Sequence, residues 1–178
     1  MPTSNYDGES IYLKNLQSEN ELVIEIEAEY SKTGEGLQYS VDPVDNEVYL
    51  YSQGETAYIR KMYPCFDQPS LKATFEFDVI APAEWEVISN YSASNVMDVA
   101  SGRHWTFNKT ARISTYVTAV IAGPYAKITD TYVSKSGKVV PLGIYGRKSL
   151  IQFADAQEIF TITKQCFDYF ESVFGLAY

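Results

Sequence analysis

Residues 51–73 read YSQGETAYIRKMYPCFDQPSLKA, and the order of chemistry along them decides the fold. A β-prone run ends at Gln53. Gly54 and Glu55 open a loop, a short helix-compatible turn follows, and Pro64 and Pro69 then bracket Cys65, Phe66, Asp67 and Gln68. Proline fixes its own φ and restricts the residue before it, so this stretch is stiff and can hold a carboxylate in one place. Strand-like sequence lies on both sides. Glu47–Ser52 carries Val48, Leu50 and two tyrosines, and Thr74–Ile80 alternates apolar with polar residues until Pro82 stops it.

Outward from that loop the same grammar repeats. Leu22–Tyr30 alternates apolar and acidic residues from Val23 on, as a half-buried strand does, and Lys32–Gly36 supplies a turn. Trp85–Ser89 is a further strand, and His104–Phe107 follows the turn at Ser101-Gly102. Ser114–Ala122 is a nearly unbroken β-branched and apolar run, which predicts a strand buried on both faces. Tyr132-Val133 and Lys138–Val140 flank Ser136-Gly137, a hairpin signal. The period changes after Arg147, where Ile159, Ile162, Cys166, Tyr169, Phe170 and Val173 recur at helical spacing. Asp155 with Glu158 makes a capping box, and Gly175 is placed to end the helix after roughly five turns. The fold class is therefore mainly β: an antiparallel sandwich or barrel with one C-terminal helix, whose apolar stripe needs a partner.

The chain has 178 residues, near the length of a single domain, and its 15 Tyr and 9 Phe suffice for a core. A net charge of −9 and the lack of any Lys/Arg cluster argue against nucleic acid. An acidic field mildly favours protonated amines. Cys65 and Cys166 form neither a disulfide framework nor a metal spacing, which points to a reducing compartment, the cytoplasm. No apolar run is long enough for a membrane helix, and Met1–Asn5 has no signal-peptide character. His104 is the single histidine, so a zinc site built on two histidines of one helix cannot form, and no metal site is expected in these residues. Nucleophile elbows, phosphate loops and calcium loops are missing too.

Positions Gln53, Glu55, Arg60, Pro64, Cys65, Phe66, Asp67, Pro69, Lys72, Ala73 and Phe75 match, without a gap, the motif of zinc aminopeptidases of the aminopeptidase N type. Pro82, Trp85, Val87, Ser89 and Asn90, then Ser114-Thr115-Tyr116 with Gly123-Pro124-Tyr125, and finally Tyr169–Tyr178 resemble later parts of the same family. Before about Glu47 the resemblance is only of general strand character. It implies a saddle-like N-terminal β-domain at 1–147, shortened at its start. Residues 148–178 would be the first helix of the zinc-peptidase catalytic domain, itself cut short.

The implied activity is removal of N-terminal amino acids from peptides by a zinc hydrolase. The resemblance assigns Glu55 to the anionic group that holds the substrate's ammonium, with Gln53 lining the pocket for the first side chain. Catalytic residues and zinc ligands fall outside this stretch in the family, so the chain alone is expected to be inactive and to bind no zinc. Its expected partners are a peptide with a free amino end and the missing catalytic domain. Exposed strand edges or the helix stripe would favour self-association.

Gly54 stands where the family has a bulkier side chain, which would enlarge or loosen the first pocket; Thr56, Tyr63 and Gln68 are further departures. Asp67 reads as structural, capping the Pro64–Pro69 turn or pairing with Arg60 or Lys72, and Cys65 as a small buried hydrophobe. By spacing alone, Glu55 would be a solvated loop carboxylate. A non-catalytic β-sandwich binding or scaffold module is the alternative, and an exposed aromatic row on one sheet face would favour it.

Overall fold

In a computed structural model, which describes residues 5–178, nine strands precede one α-helix. In chain order they are β1 (Gly36–Val41), β2 (Val48–Gln53), β3 (Asp78–Ala81), β4 (Glu86–Ser89), β5 (Ala93–Val99), β6 (Gly102–Phe107), β7 (Val120–Gly123), β8 (Ala126–Val133) and β9 (Val139–Gly146), then α1 (Ala156–Phe174). They form a four-stranded sheet in the order β1-β2-β7-β4, a three-stranded sheet β3-β6-β5, and the hairpin β8-β9. Every pairing among these strands is antiparallel.

The two larger sheets share a core. Leu50, Val87 and Ala122 from the first meet Ala81, Trp105 and Phe107 from the second, with Leu37, Tyr39, Phe77, Val79 and Trp85 packed around them. Apolar residues that alternate along each strand thus face inward together, which is the sandwich the alternation predicts. The sheets' exposed aromatics, Tyr51 and Tyr145, stand on different sheets and form no row.

Three expected strands are corrected, and one of them, Thr74–Ile80, is strand only from Asp78 on. Leu22–Tyr30 has the pattern of a strand but pairs with nothing, and Val23 is 75% exposed. Pairing on the outer edge of β1 begins only at Ser31, whose N–H donates to the Leu37 carbonyl (2.8 Å) and whose carbonyl accepts from the Tyr39 N–H (2.8 Å). That bridge is parallel, Ser31 against Gln38, so residues before Glu29 run past the start of β1 and meet no ladder among the described residues. Ser114–Ala122 is split: Thr115–Val117 is a 3-10 turn, and only Val120–Gly123 is strand. The hydroxyls explain the break. Thr118 Oγ1 donates to the Thr115 carbonyl (2.7 Å), a local bond that competes with a ladder, and Ser114 Oγ donates to the distant Pro69 carbonyl (2.8 Å).

The helix begins and ends where its signals stand. Asp155 accepts from the Glu158 N–H (3.0 Å), and Gly175 adopts the left-handed conformation, φ 65°, that closes the last turn. One side of α1 lies on the hairpin, with Phe160 and Glu171 buried and the Phe167 ring stacked on Tyr132 at 4.8 Å. The predicted stripe (Ile159, Ile162, Cys166, Tyr169, Phe170, Val173) faces outward and is exposed throughout. Cys65 and Cys166 are both free thiols. None of the described helices is long and apolar enough to cross a membrane.

Candidate functional site

Gln53 is the last residue of β2 and pairs with Gly36 at the start of β1. The chain leaves the sheet there, and both Gln53 and Glu55 are exposed. The structure brings the two together through one bond: the Glu55 N–H donates to Gln53 Oε1 at 3.0 Å. The side-chain carbonyl of Gln53 therefore shapes the loop, and its amide hydrogens point to no partner among the described residues. The Glu55 carboxylate likewise makes no hydrogen bond or ion pair among them.

Gly54 between them is buried, and its packing contradicts the expected larger pocket. A Cβ at this position would sit 2.5 Å from Ile59 Cγ1 and 3.0 Å from Tyr116 Cα. Ile59 is fully buried and cannot yield easily. The missing side chain is filled by the protein itself, so glycine here lets two chain segments close together and opens no space for a ligand. The Gly54 carbonyl accepts from the Tyr58 N–H (3.0 Å), which turns the chain into the 3-10 turn Ile59–Lys61.

Beside the loop one ion pair forms. Lys61 pairs with Glu35 and lies 5.1 Å from the centre of the Tyr58 ring. Farther along, the Pro64–Pro69 stretch folds back on itself, with the Gln68 N–H donating to the Phe66 carbonyl (2.8 Å). Asp67 accepts from the Arg60 backbone N–H at 3.0 Å and from the Thr115 hydroxyl at 2.6 Å. Its expected structural role stands, but its partners are a backbone amide and a hydroxyl rather than the side chains of Arg60 or Lys72. Lys72 instead donates to the Ser114 hydroxyl.

Cys65 is half-buried, and burial, then the nearby Asp67 charge, push its thiol up to about 11, so it is a neutral group. Burial likewise pushes Tyr63 up to about 12, and its hydroxyl bonds Thr118 Oγ1 (2.8 Å). The motif includes Thr115, but its bond to Asp67 is not readable, because the residue stands inside a run that reads as strand. A further signal is the hydroxyl-rich sequence Ser114-Thr115 ahead of Thr118.

Among the described residues, no three His, Cys, Asp or Glu side chains come together as a metal site. The arrangement offers instead one unspent carboxylate on a braced loop beside a free carboxamide.

The family model described as the peptidase M1 N-terminal domain matches residues 3–117, so the similarity reaches the first forty residues as well. The chain is 47% identical over 163 residues to an aminopeptidase N of Streptomyces lividans, covering 92% of this chain and 18% of that protein. It is 33% identical over 159 residues to a probable M1 family aminopeptidase of Encephalitozoon cuniculi, covering 88% and 17%. To a glutamyl aminopeptidase of Sus scrofa it is 37% identical over 120 residues, covering 67% and 12%. The chain thus spans less than a fifth of the length of these curated relatives.

Proposed function

The chain belongs to the peptidase M1 N-terminal domain family, and from that premise we propose that it is the substrate-recognising part of a zinc aminopeptidase. In this reading Glu55 receives the free amino end of a peptide and Gln53 borders the first side chain. The observation that carries it is the unspent Glu55 carboxylate, exposed on a loop whose backbone is fixed by Gln53, by the tight seat of Gly54 and by the Tyr58 amide.

A peptide's terminal ammonium needs charge-assisted acceptors once part of its water is removed, and a carboxylate supplies them. An internal residue has no ammonium to offer. A carboxylate at this position therefore confines cleavage to the terminal bond, by registering the peptide from its end. Because the carboxylate is held by its backbone, little ordering is left to be done when substrate binds.

Zinc in such an enzyme supplies activated water. In this reading its ligands lie in another part of a longer protein. The 178-residue chain alone is accordingly read as a recognition element without turnover. The test is Glu55→Ala in the longer enzyme. With zinc content and thermal midpoint unchanged, kcat/KM on aminoacyl anilides should fall about tenfold or more, the cost of one hydrogen-bonded charge. A change of less than about twofold contradicts the reading.

A further inference from the structure

A single carboxylate braces the Gln53–Tyr58 loop from both sides, and we propose that Asp67 is a positioning residue for recognition of the peptide's amino end. The proposal rests on the reading of Gln53 and Glu55 above. Gly54 is wedged between two segments, the Ile59 side chain and the backbone of Tyr116. Asp67 is bonded to both of those segments. One oxygen accepts from the Arg60 N–H at 3.0 Å, next to Ile59, and the other from the Thr115 hydroxyl at 2.6 Å, next to Tyr116.

One carboxyl group therefore ties together the two jaws that grip Gly54, beside the Tyr63 hydroxyl bond to Thr118. The stiffness of that group's own segment comes from Pro64, Pro69 and the Ser114 hydroxyl on the Pro69 carbonyl (2.8 Å). Asp67 touches no substrate in this scheme. It acts through the loop, and its loss lets the jaws part so that Glu55 no longer presents its carboxylate in one place.

Three variants separate this role from a general contribution to folding. Asp67→Asn removes the charge and one acceptor, Thr115→Val removes one bond at constant shape, and Thr115→Ser keeps the hydroxyl. Hydrogen exchange is read on this chain at the Glu55 and Tyr58 amides. It should speed up about tenfold in Asp67→Asn and Thr115→Val, stay near wild type in Thr115→Ser, and leave the β4 and β6 amides unchanged.

In the longer enzyme, Thr115→Val should raise KM for a free-amine substrate severalfold at an unchanged thermal midpoint, with Thr115→Ser restoring it. Unchanged loop exchange in both Asp67→Asn and Thr115→Val overturns the proposal whatever Glu55→Ala does. Faster exchange without the KM effect overturns the positioning role while the Glu55 reading survives. If Glu55→Ala is itself silent, the reading of Glu55 fails, and the positioning role built on it fails too.

Discussion

Glu55 and Gly54 are adjacent, yet they were legible in the sequence to different degrees. The sequence places Gln53 and Glu55 on the loop after a strand, and the structure has Gln53 as the last residue of that strand and Glu55 on the loop beyond it. That much is readable because β2 is a β-prone run whose end is marked by a glycine. The use of Gly54 was not readable, because a missing side chain says nothing about what fills its space. Ile59 and Tyr116 fill it, the second from more than sixty positions away. Gly54→Ala should therefore destabilise the chain by about 1–3 kcal/mol through overpacking against Ile59, and a smaller pocket is not the expected consequence. Denaturant unfolding checks this, and a variant as stable as wild type would restore the open-pocket view.

At the scale of elements, the hairpin β8-β9 and α1 behave as one unit because of Glu171. This carboxylate is 6% exposed and accepts from the Tyr178 N–H (2.8 Å), the Lys135 N–H (3.0 Å), the Ser134 hydroxyl (2.7 Å) and the Tyr132 hydroxyl (3.2 Å). Those donors, led by the Tyr178 and Lys135 amides, pull its carboxyl from 4.5 down to about 2. A lowered carboxyl value means the anion binds its surroundings better in the folded state. The stabilisation is complete above about 4.5 and is lost as pH falls toward about 2. Near-UV circular dichroism of the stacked Tyr132–Phe167 pair should report that loss. In Glu171→Gln the signal should be weaker at neutral pH and flat across the same window; an unchanged acid transition would remove Glu171 from the account. Caps, hairpin turn and helix period were all visible in the sequence, since each depends on neighbours within a few residues. The unpaired Leu22–Tyr30 was misread for the converse reason: alternation shows which face a strand would bury, but whether a partner edge lies alongside is a long-range fact.

For the whole molecule, one consequence of the exposed α1 stripe is association. Ile159, Ile162, Tyr169, Phe170 and Val173 all face solvent in the 178-residue chain, a contiguous apolar face on a helix. The chain should self-associate with rising concentration in sedimentation, and Tyr169→Glu with Val173→Glu should return it to a monomer. Monomeric sedimentation of the unaltered chain at high concentration would show the face to be harmless. The recognition role itself is best tested by coupling Glu55 to the one substrate atom it is said to hold. In the longer enzyme, an amino-acid amide and its des-amino analogue are compared as inhibitors of wild type and Glu55→Ala. Wild type should prefer the amine by about tenfold or more, with most of that preference gone in the variant. The same preference in both proteins would mean that the ammonium is held by something else.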